Sequence, residues 1–367
     1  MTGLQNSAAS AAPRCRILFV CKGSPADGLG HVTRTRAVAS AASSIALVRV
    51  AVIGSAIAES MLTGAGFDYA IVSDTQAVAE LSREFEPDVV VFDLLKVGGS
   101  AFGAIAGKAI AASLSPIFDS LERVGVVFHR TSISDPSWAL LHNHPEFRMG
   151  LKYTVIPENC ARIATPTYLG TLARDQLSVA VSLGGADAPN RTLEVVRTLK
   201  TCRQRLLLWV LLGEGYAHSY QELVEATRGA THEIILAKTN DSMWHILSSC
   251  AVAILAGGTT TCQAAFAGLP SVNMLESPDR QYLVQELVDD GACISLGGHL
   301  ATSLDRLNAT IEHLDASRDE LMEMHLKSQR LIDGLGADRI AREILDLATV
   351  AGSFEPSSDP VEARDKR

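Results

Sequence analysis

The chain has 367 residues, of which 47% are apolar and 20% are charged, a balance typical of a globular protein long enough for two cores. Its formal net charge of −9, from 32 basic and 41 acidic side chains, argues against non-specific nucleic-acid binding. No apolar run approaches the roughly 20 residues that cross a bilayer, so we predict no membrane span.

The two ends of the chain differ from the rest in composition. Residues 1–14 are small and polar and lack the apolar block of a secretion signal, while residues 351–367 are charged and contain prolines, so both ends are predicted to be disordered. The seven cysteines form no Cys-x-x-Cys pair and stand mostly in apolar surroundings. We therefore expect reduced core thiols in a cytoplasmic protein, and neither a disulfide framework nor a zinc site.

Short runs rich in Val, Ile and Leu predict buried strands in the first half of the chain, and alanine-rich helical segments separate them. This alternation is typical of a parallel sheet covered by helices on both faces. The predicted strands are residues 16–21, 47–54, 69–72, 88–93 and 124–129.

The alternation becomes irregular around residues 152–177, where prolines and a glycine cluster, and then restarts. We therefore predict an N-terminal domain over residues 15–165 and a C-terminal domain over residues 166–350, which ends in amphipathic helices. The predicted strands of the second domain are residues 177–183, 205–213, 233–237, 251–257 and 270–275.

This organisation predicts an α/β fold of two doubly wound, Rossmann-like domains that face each other across a cleft. Ligands of such sheets bind outside the carboxyl ends of the strands, and a cleft between two domains is the default binding site. Four stretches of the sequence fall at those strand ends.

The first stretch, GLGHVTR, follows the first strand. Gly28 and Gly30 permit a tight turn and a close approach to a ligand. His31 falls at the start of the next helix, where it could act as a general base near neutral pH, and Arg34 could face an anionic group. A histidine that only caps the helix is the alternative. The dinucleotide-binding fingerprint is absent, because Thr33 replaces its third glycine.

The second stretch, SLGGADAPNRT, follows the first strand of the second domain. Gly184 and Gly185 end the strand, and Asp187 and Asn190 lie in the loop. Backbone amides of such a turn can hold phosphate oxygens, although a plain strand-to-helix turn explains the stretch equally well.

The third stretch, AGGTTTCQAAFAGLP, follows another strand of the second domain. Its free N–H groups, three hydroxyls and positive helix end would form a cradle for a diphosphate. Gln263, placed on the first helical turn, could reach a ribose hydroxyl. The alternative is a set of N-capping threonines and tightly packed glycines. The candidate residues of the cradle are Gly257, Gly258, Thr259, Thr260 and Thr261.

Two further groups stand at strand ends. Asp279, Arg280 and Gln281 could contact a sugar or a phosphate, or could simply begin a solvated helix. Asp93 ends the fourth strand and could reach the cleft, or could serve as a cap or a buried hydrogen-bond acceptor. Asp119, His129 and Asp135 are weaker candidates.

Taken together and in this order, the four stretches resemble the nucleotide-sugar hydrolase of the pseudaminic acid pathway and the predicted glycosyltransferases of spore-coat polysaccharide synthesis. More distantly, the second half resembles the GlcNAc transferase of peptidoglycan synthesis. The resemblance implies a GT-B fold, with UDP as the nucleotide and the C-terminal half as its main binding surface. It also implies that His31 is the base that activates the acceptor, either water or a sugar hydroxyl, without a metal or other cofactor.

The chain departs from that family at three places. Gln263 stands where an acidic residue often holds the ribose, and residues 93–96 read Asp-Leu-Leu-Lys where the hydrolase has Asp-His-Tyr-Gly. Arg280 stands where the hydrolase has Asn. The diphosphate site is therefore expected to be kept and the sugar and acceptor pockets to be changed.

These departures favour a UDP-sugar glycosyltransferase that acts with inversion at C1 of the sugar, with His31 and Asp93 as its catalytic residues. The acceptor is left open as a sugar, another small molecule or water. A UDP-sugar hydrolase and a non-catalytic nucleotide-sugar-binding protein are the alternatives.

Overall fold

The computed structural model of the protein describes residues 15–24, 29–54, 56–239 and 243–350. Its first domain is built on a parallel sheet in the order β3-β2-β1-β4-β5-β6-β7. The strands are Arg16–Gly23 (β1), Leu47–Gly54 (β2), Asp68–Val72 (β3), Val89–Asp93 (β4), Ile110–Ser113 (β5), Val126–His129 (β6) and Glu146–Met149 (β7).

Helices cover both faces of this sheet, as the strand composition predicts. Alternate residues of β1 point to opposite faces. Phe19 packs in one apolar cluster together with Val32, and Val20 packs in the other together with Phe102. The helices of this half of the chain are Gly30–Ser43 (α1), Ala56–Leu62 (α2), Thr75–Phe85 (α3) and Gly99–Ala106 (α4).

The second domain has a parallel sheet in the order β10-β9-β8-β11-β12-β13. Its strands are Leu177–Ser182 (β8), Leu206–Leu212 (β9), Glu233–Lys238 (β10), Val252–Leu255 (β11), Ser271–Met274 (β12) and Cys293–Gly297 (β13). The helices that follow the first domain are Thr165–Leu172 (α5), Arg191–Leu199 (α6), Tyr220–Thr227 (α7), Met243–Leu247 (α8), Thr259–Ala267 (α9), Tyr282–Asp289 (α10), Leu300–Ala316 (α11), Arg318–Ser328 (α12) and Gly336–Val350 (α13). None of the described helices is long and apolar enough to cross a membrane.

The strand order reverses in each sheet at the point where the site forms. In the first sheet β1 lies between β2 and β4, and in the second β8 lies between β9 and β11. The chain leaves these central strands in opposite directions, which opens a crevice at their carboxyl ends. The carboxyl ends of β1, β4, β8 and β11 therefore border this crevice, and the predicted motifs follow these strands in the sequence.

The closing helices divide between the two domains, whereas the sequence predicted that all of them form part of the C-terminal domain (residues 166–350). Helices α11 and α12 pack in the core of the second sheet, but Ile340 and Ile344 of α13 pack with α1 in the core of the first. The chain returns beside the linker, where a β-carbon on Gly336 would lie 2.1 Å from the Thr154 carbonyl oxygen. The sequence shows the apolar stripe of α13 but not which surface it covers.

All seven cysteines are buried and free, as the sequence predicted. Burial raises the pKa of the Cys160 and Cys250 thiols to about 12. These thiols therefore act as small apolar core residues.

Candidate active site

The N-termini of α1 and α9 face each other between the domains. A β-carbon on Gly30 would lie 3.9 Å from Thr259 Oγ1. Within the described residues, no side chain caps the first turn of either helix. Unpaired backbone N–H groups and the positive ends of two helix dipoles therefore converge on one gap, an arrangement that favours an anion. Gly28 lies outside the described residues.

A buried carboxylate organises the first-domain side of this gap. Asp93, whose side chain is 1% exposed, receives hydrogen bonds from Arg34 Nε at 2.8 Å, from Arg34 Nη2 and from His31 Nδ1 at 2.6 Å. Burial by itself would raise the pKa of Asp93, but the positive charge of Arg34 and the hydrogen bonds of Arg34 and His31 lower it to about 2. Asp93 is therefore an ionised acceptor at neutral pH.

This geometry orients the imidazole. Because Nδ1 of His31 is bound to Asp93, Nε2 is left to accept a proton, and the His31 side chain is 20% exposed. Asp93 has no comparable access to solvent, so the expectation that it could reach the cleft is corrected: it positions His31 and Arg34. The Arg34 side chain is 15% exposed, and its positive charge is balanced by the Asp93 carboxylate.

The loop after β8 presents backbone to the gap. Gly184 adopts a left-handed φ of +107°, and a β-carbon on Gly185 would lie 3.9 Å from the Leu29 nitrogen. A larger residue at Gly184 would strain the loop, whereas a β-carbon on Gly185 would make an ordinary contact with the residue before α1. The two glycines follow β8, as predicted, and the binding of phosphate oxygens by this turn stays a prediction.

The polar side chains of the same loop are engaged within the domain. The Asp187 carboxylate accepts hydrogen bonds from the backbone N–H groups of Arg191 and Thr192 at 3.0 and 2.8 Å, and so it caps α6. The Asn190 side-chain oxygen accepts a hydrogen bond from the Tyr216 hydroxyl at 2.9 Å. Both side chains shape the loop.

The turn between β11 and α9 is tightly packed. Gly257 has a φ of +74°, and a β-carbon there would lie 2.2 Å from Leu275 Cδ2. Gly258 is the N-cap residue and is exposed, and Thr259 and Thr260 are partly exposed. Gly258, Thr259 and Thr260 of the predicted cradle are therefore open to solvent, and its role in binding a diphosphate stays a prediction.

Two expectations for this helix need correction. The Thr261 hydroxyl donates to Asn273 Oδ1 at 2.6 Å in the interior, so it does not face the gap. Gln263 lies on the second turn of α9, not the first, and its buried side chain lines the space between the domains. The helical period of 3.6 residues separates these side chains.

The stretch after β12 carries one arginine, Arg280, which is paired with an exposed carboxylate. Asp279 is exposed, and Arg280 Nε lies 3.8 Å from its carboxylate. The Gln281 amide oxygen accepts from Ser295 Oγ at 2.8 Å, and its nitrogen donates to Gln285 at 2.9 Å. Gln281 therefore holds α10, and Arg280 is the residue of this stretch best suited to an anion.

Arg191 holds this stretch in place, and sequence reasoning missed it. Its buried guanidinium donates to the carbonyl oxygens of Met274, Leu275 and Glu276. A cation at the first residue of a helix opposes the helix dipole. An arginine at this unfavourable position indicates that its side chain binds groups outside the helix.

Comparisons with known proteins agree with this architecture. No protein-family model matches the chain. Spore coat polysaccharide biosynthesis protein SpsG of Bacillus subtilis (strain 168) is 23% identical over 181 residues, 48% of this chain and 52% of that protein, so the match spans about half of its length. The UDP-N-acetylglucosamine--N-acetylmuramyl-(pentapeptide) pyrophosphoryl-undecaprenol N-acetylglucosamine transferase of Actinobacillus pleuropneumoniae serotype 3 is 25% identical over 290 residues, 76% of this chain and 79% of that protein.

Among solved structures, HepE of Anabaena in complex with UDP-glucose has a TM-score of 0.66 and 12% identity, covering 90% of this chain and 99% of that one. The protein therefore has the GT-B fold, as the sequence predicted. The predicted likenesses to the spore-coat protein and to the peptidoglycan transferase are confirmed, and the likeness to the pseudaminic acid hydrolase stays a prediction.

Proposed function

We propose that this protein is a glycosyltransferase that uses a UDP-sugar as donor. The observation that carries this proposal is the meeting of two uncapped helix N-termini beside a histidine held by a buried carboxylate. One relative is named as a UDP-N-acetylglucosamine-dependent transferase, and one structural neighbour holds UDP-glucose, which supports the choice of nucleotide.

The donor diphosphate would lie against the first turn of α9. The N–H groups of Thr259 and Thr260 would bind its oxygens, and Arg280 would add positive charge. Negative charge grows on the β-phosphate as the bond from C1 to its oxygen breaks, and donors already in place stabilise that charge without reorganisation. Gln263 is assigned to the ribose.

His31 would act as the general base on the other side of the gap. Its Nε2 takes the proton of the acceptor hydroxyl while the hydroxyl oxygen bonds to C1 and UDP leaves with the former bonding electrons. Asp93 fixes the tautomer through Nδ1 and stabilises the imidazolium that forms. Because base and leaving group lie on opposite sides of C1, the reaction inverts its configuration.

The test is UDP release from a panel of UDP-sugars, with and without cell extract as a source of acceptors. Release that requires the extract supports transfer. Release in buffer alone identifies a hydrolase, and UDP-sugar binding with no release under either condition identifies a binding protein.

A matched pair of variants connects the activity to the site. His31→Gln should lower turnover by about 10²- to 10⁴-fold, because it removes the base, and should leave UDP affinity measured by calorimetry unchanged. His144→Gln, at an exposed loop histidine of the same domain, should change neither. Full activity in His31→Gln would show that the base is elsewhere.

A further inference from the structure

A polar hollow, which we call the linker pocket, adjoins the gap between the domains and shares Gly30, Thr259 and Gln263 with it. It opens to solvent, and the space in it that a water-sized molecule can reach is about 30 Å³, which suits a small group and not a whole ligand. Its walls come mainly from the first domain and from the chain that joins the domains, and α9 closes one side. The residues that matter for its chemistry are Arg34, His129, Arg130, Thr154, Thr259 and Gln263.

His129 is the unusual residue of the linker pocket. It ends β6, its side chain is buried, and neither ring nitrogen has a hydrogen-bond partner among the described residues. The ring is held by aromatic contacts instead, with Trp138 at 5.2 Å and Tyr282 at 5.9 Å between centroids. Thr154 Oγ1 is likewise buried without a partner. Buried polar groups of this kind are normally hydrogen-bonded, so these atoms are available to a bound molecule.

Arg130 gives the linker pocket a positive charge. Its Nε is buried without a hydrogen-bond partner, and no carboxylate in the described part of the chain pairs with it, whereas Arg34 is neutralised by Asp93. Burial and the charge of Arg130 lower the pKa of His129 to about 3, so the imidazole is neutral and offers one donor and one acceptor.

Two carboxylates near this region are already engaged. Asp135 accepts hydrogen bonds from the backbone and hydroxyl of Ser137 at 2.8 and 2.7 Å. Glu286 of α10 accepts from Thr131 Oγ1 at 3.0 Å and from the Ser132 backbone at 2.9 Å. Among the described residues, neither carboxylate forms an ion pair with Arg130.

We propose that the linker pocket binds an oxyanion of the acceptor, a carboxylate or phosphate group, through Arg130, His129 and Thr154. This inference rests on the proposed function, because it takes the second-domain loops as the place of the donor diphosphate. An acceptor anchored here would pass beside Arg34 and present its hydroxyl to His31, which is three residues away on the same helix.

The test uses the full chain with isotope-labelled histidine, saturated with UDP so that added anions cannot enter the donor site. Inorganic phosphate, acetate and neutral glycerol are titrated separately while the His129 imidazole signals, assigned with His129→Phe, are followed by NMR. We expect phosphate or acetate to shift these signals saturably and to raise the pKa of His129, and glycerol to leave them in place. The anion that binds more tightly shows whether the acceptor carries a phosphate or a carboxylate group.

Arg130→Gln should weaken anion binding at least about tenfold, because one charge-assisted contact is lost, while the exposed Lys108→Gln should not. Signals that neither anion moves, equal shifts with glycerol, or undiminished binding in Arg130→Gln would overturn the inference. UDP affinity is measured first by calorimetry. A protein that fails to bind UDP contradicts the proposed function and leaves the anion titration at His129 readable.

Discussion

Replacing Asp93 with Asn tests whether a buried carboxylate organises the site. The change keeps the shape of the side chain and removes its charge. The carboxylate now receives two hydrogen bonds from Arg34 and one from His31 Nδ1. In the variant, the Arg34 guanidinium, 15% exposed, stays in place without a counter-charge. Breaking such a buried pair from one side typically costs about 3–5 kcal/mol, a large part of the about 5–15 kcal/mol that stabilises a domain.

Turnover should fall for a separate reason. If the Asn oxygen faces Arg34, its NH₂ group faces His31 Nδ1 and forces the imidazole hydrogen onto Nε2, the atom that must accept a proton. We expect a loss of about 10²- to 10⁴-fold in turnover, with UDP affinity changed less than about twofold.

The assay combines urea unfolding at pH 7 with UDP release measured under conditions where the variant is folded. Thr35→Val is the matched control, because Thr35 Oγ1 donates a hydrogen bond of 3.3 Å to Asp93 and the substitution leaves the contacts of Asp93 with Arg34 and His31 intact. Thr35→Val should lower the free energy of unfolding by about 1 kcal/mol and should change turnover little. An Asp93→Asn protein with wild-type stability and turnover would refute the positioning role.

The pH dependence of stability gives the same test a second readout. The pKa of Asp93 is about 2 in the folded protein, against an ordinary value of about 3.9 in the unfolded chain. Its contribution is therefore complete above about pH 4 and is lost as the pH falls toward 2, because the unfolded state takes up the proton first. The Asp93→Asn variant should lack this component of acid unfolding.

Three further predictions concern neighbouring residues. Gly257→Ala should lower the free energy of unfolding by about 1–3 kcal/mol, because φ is +74° and the new methyl group would meet Leu275. The control Gly258→Ala places its methyl group in open space, so equal stability of the two variants in urea denaturation would contradict this packing. Between pH 6.5 and 3, His129 is protonated in the unfolded chain and not in the folded protein, so the free energy of unfolding should fall by up to about 1.4 kcal/mol per pH unit as the pH drops. The His129→Phe variant should show a shallower dependence on pH, and identical slopes would argue against a buried neutral imidazole. Gln263→Ala should weaken UDP binding about tenfold in calorimetry, and unaltered affinity would remove Gln263 from the nucleotide site.

Much of the fold could be predicted because buried parallel strands leave continuous apolar runs in the sequence. Strands β5, β7 and β13 were missed because they are short and carry few large apolar residues, such as IAAS in β5 and EFRM in β7. The partner of α13 could not be predicted, since an apolar stripe does not identify the surface that it covers.

The sequence predicted which strand ends border the site, but not which side chains form hydrogen bonds with one another there. Glycines and a histidine after β1 and glycines after β11 mark the gap, because the topology brings those ends together. The pairing of His31 with Asp93, 62 residues away, and the inward turn of Thr261 depend on tertiary contacts. No local pattern encodes such contacts.

The most direct test of the account is a crystal structure of the protein with a non-transferable UDP-sugar analogue. The account predicts that the diphosphate lies on the N–H groups of Thr259 and Thr260, with His31 Nε2 across the gap from C1 and room between them for one hydroxyl oxygen. A nucleotide bound away from the start of α9, or an imidazole separated from C1 by protein, would contradict it.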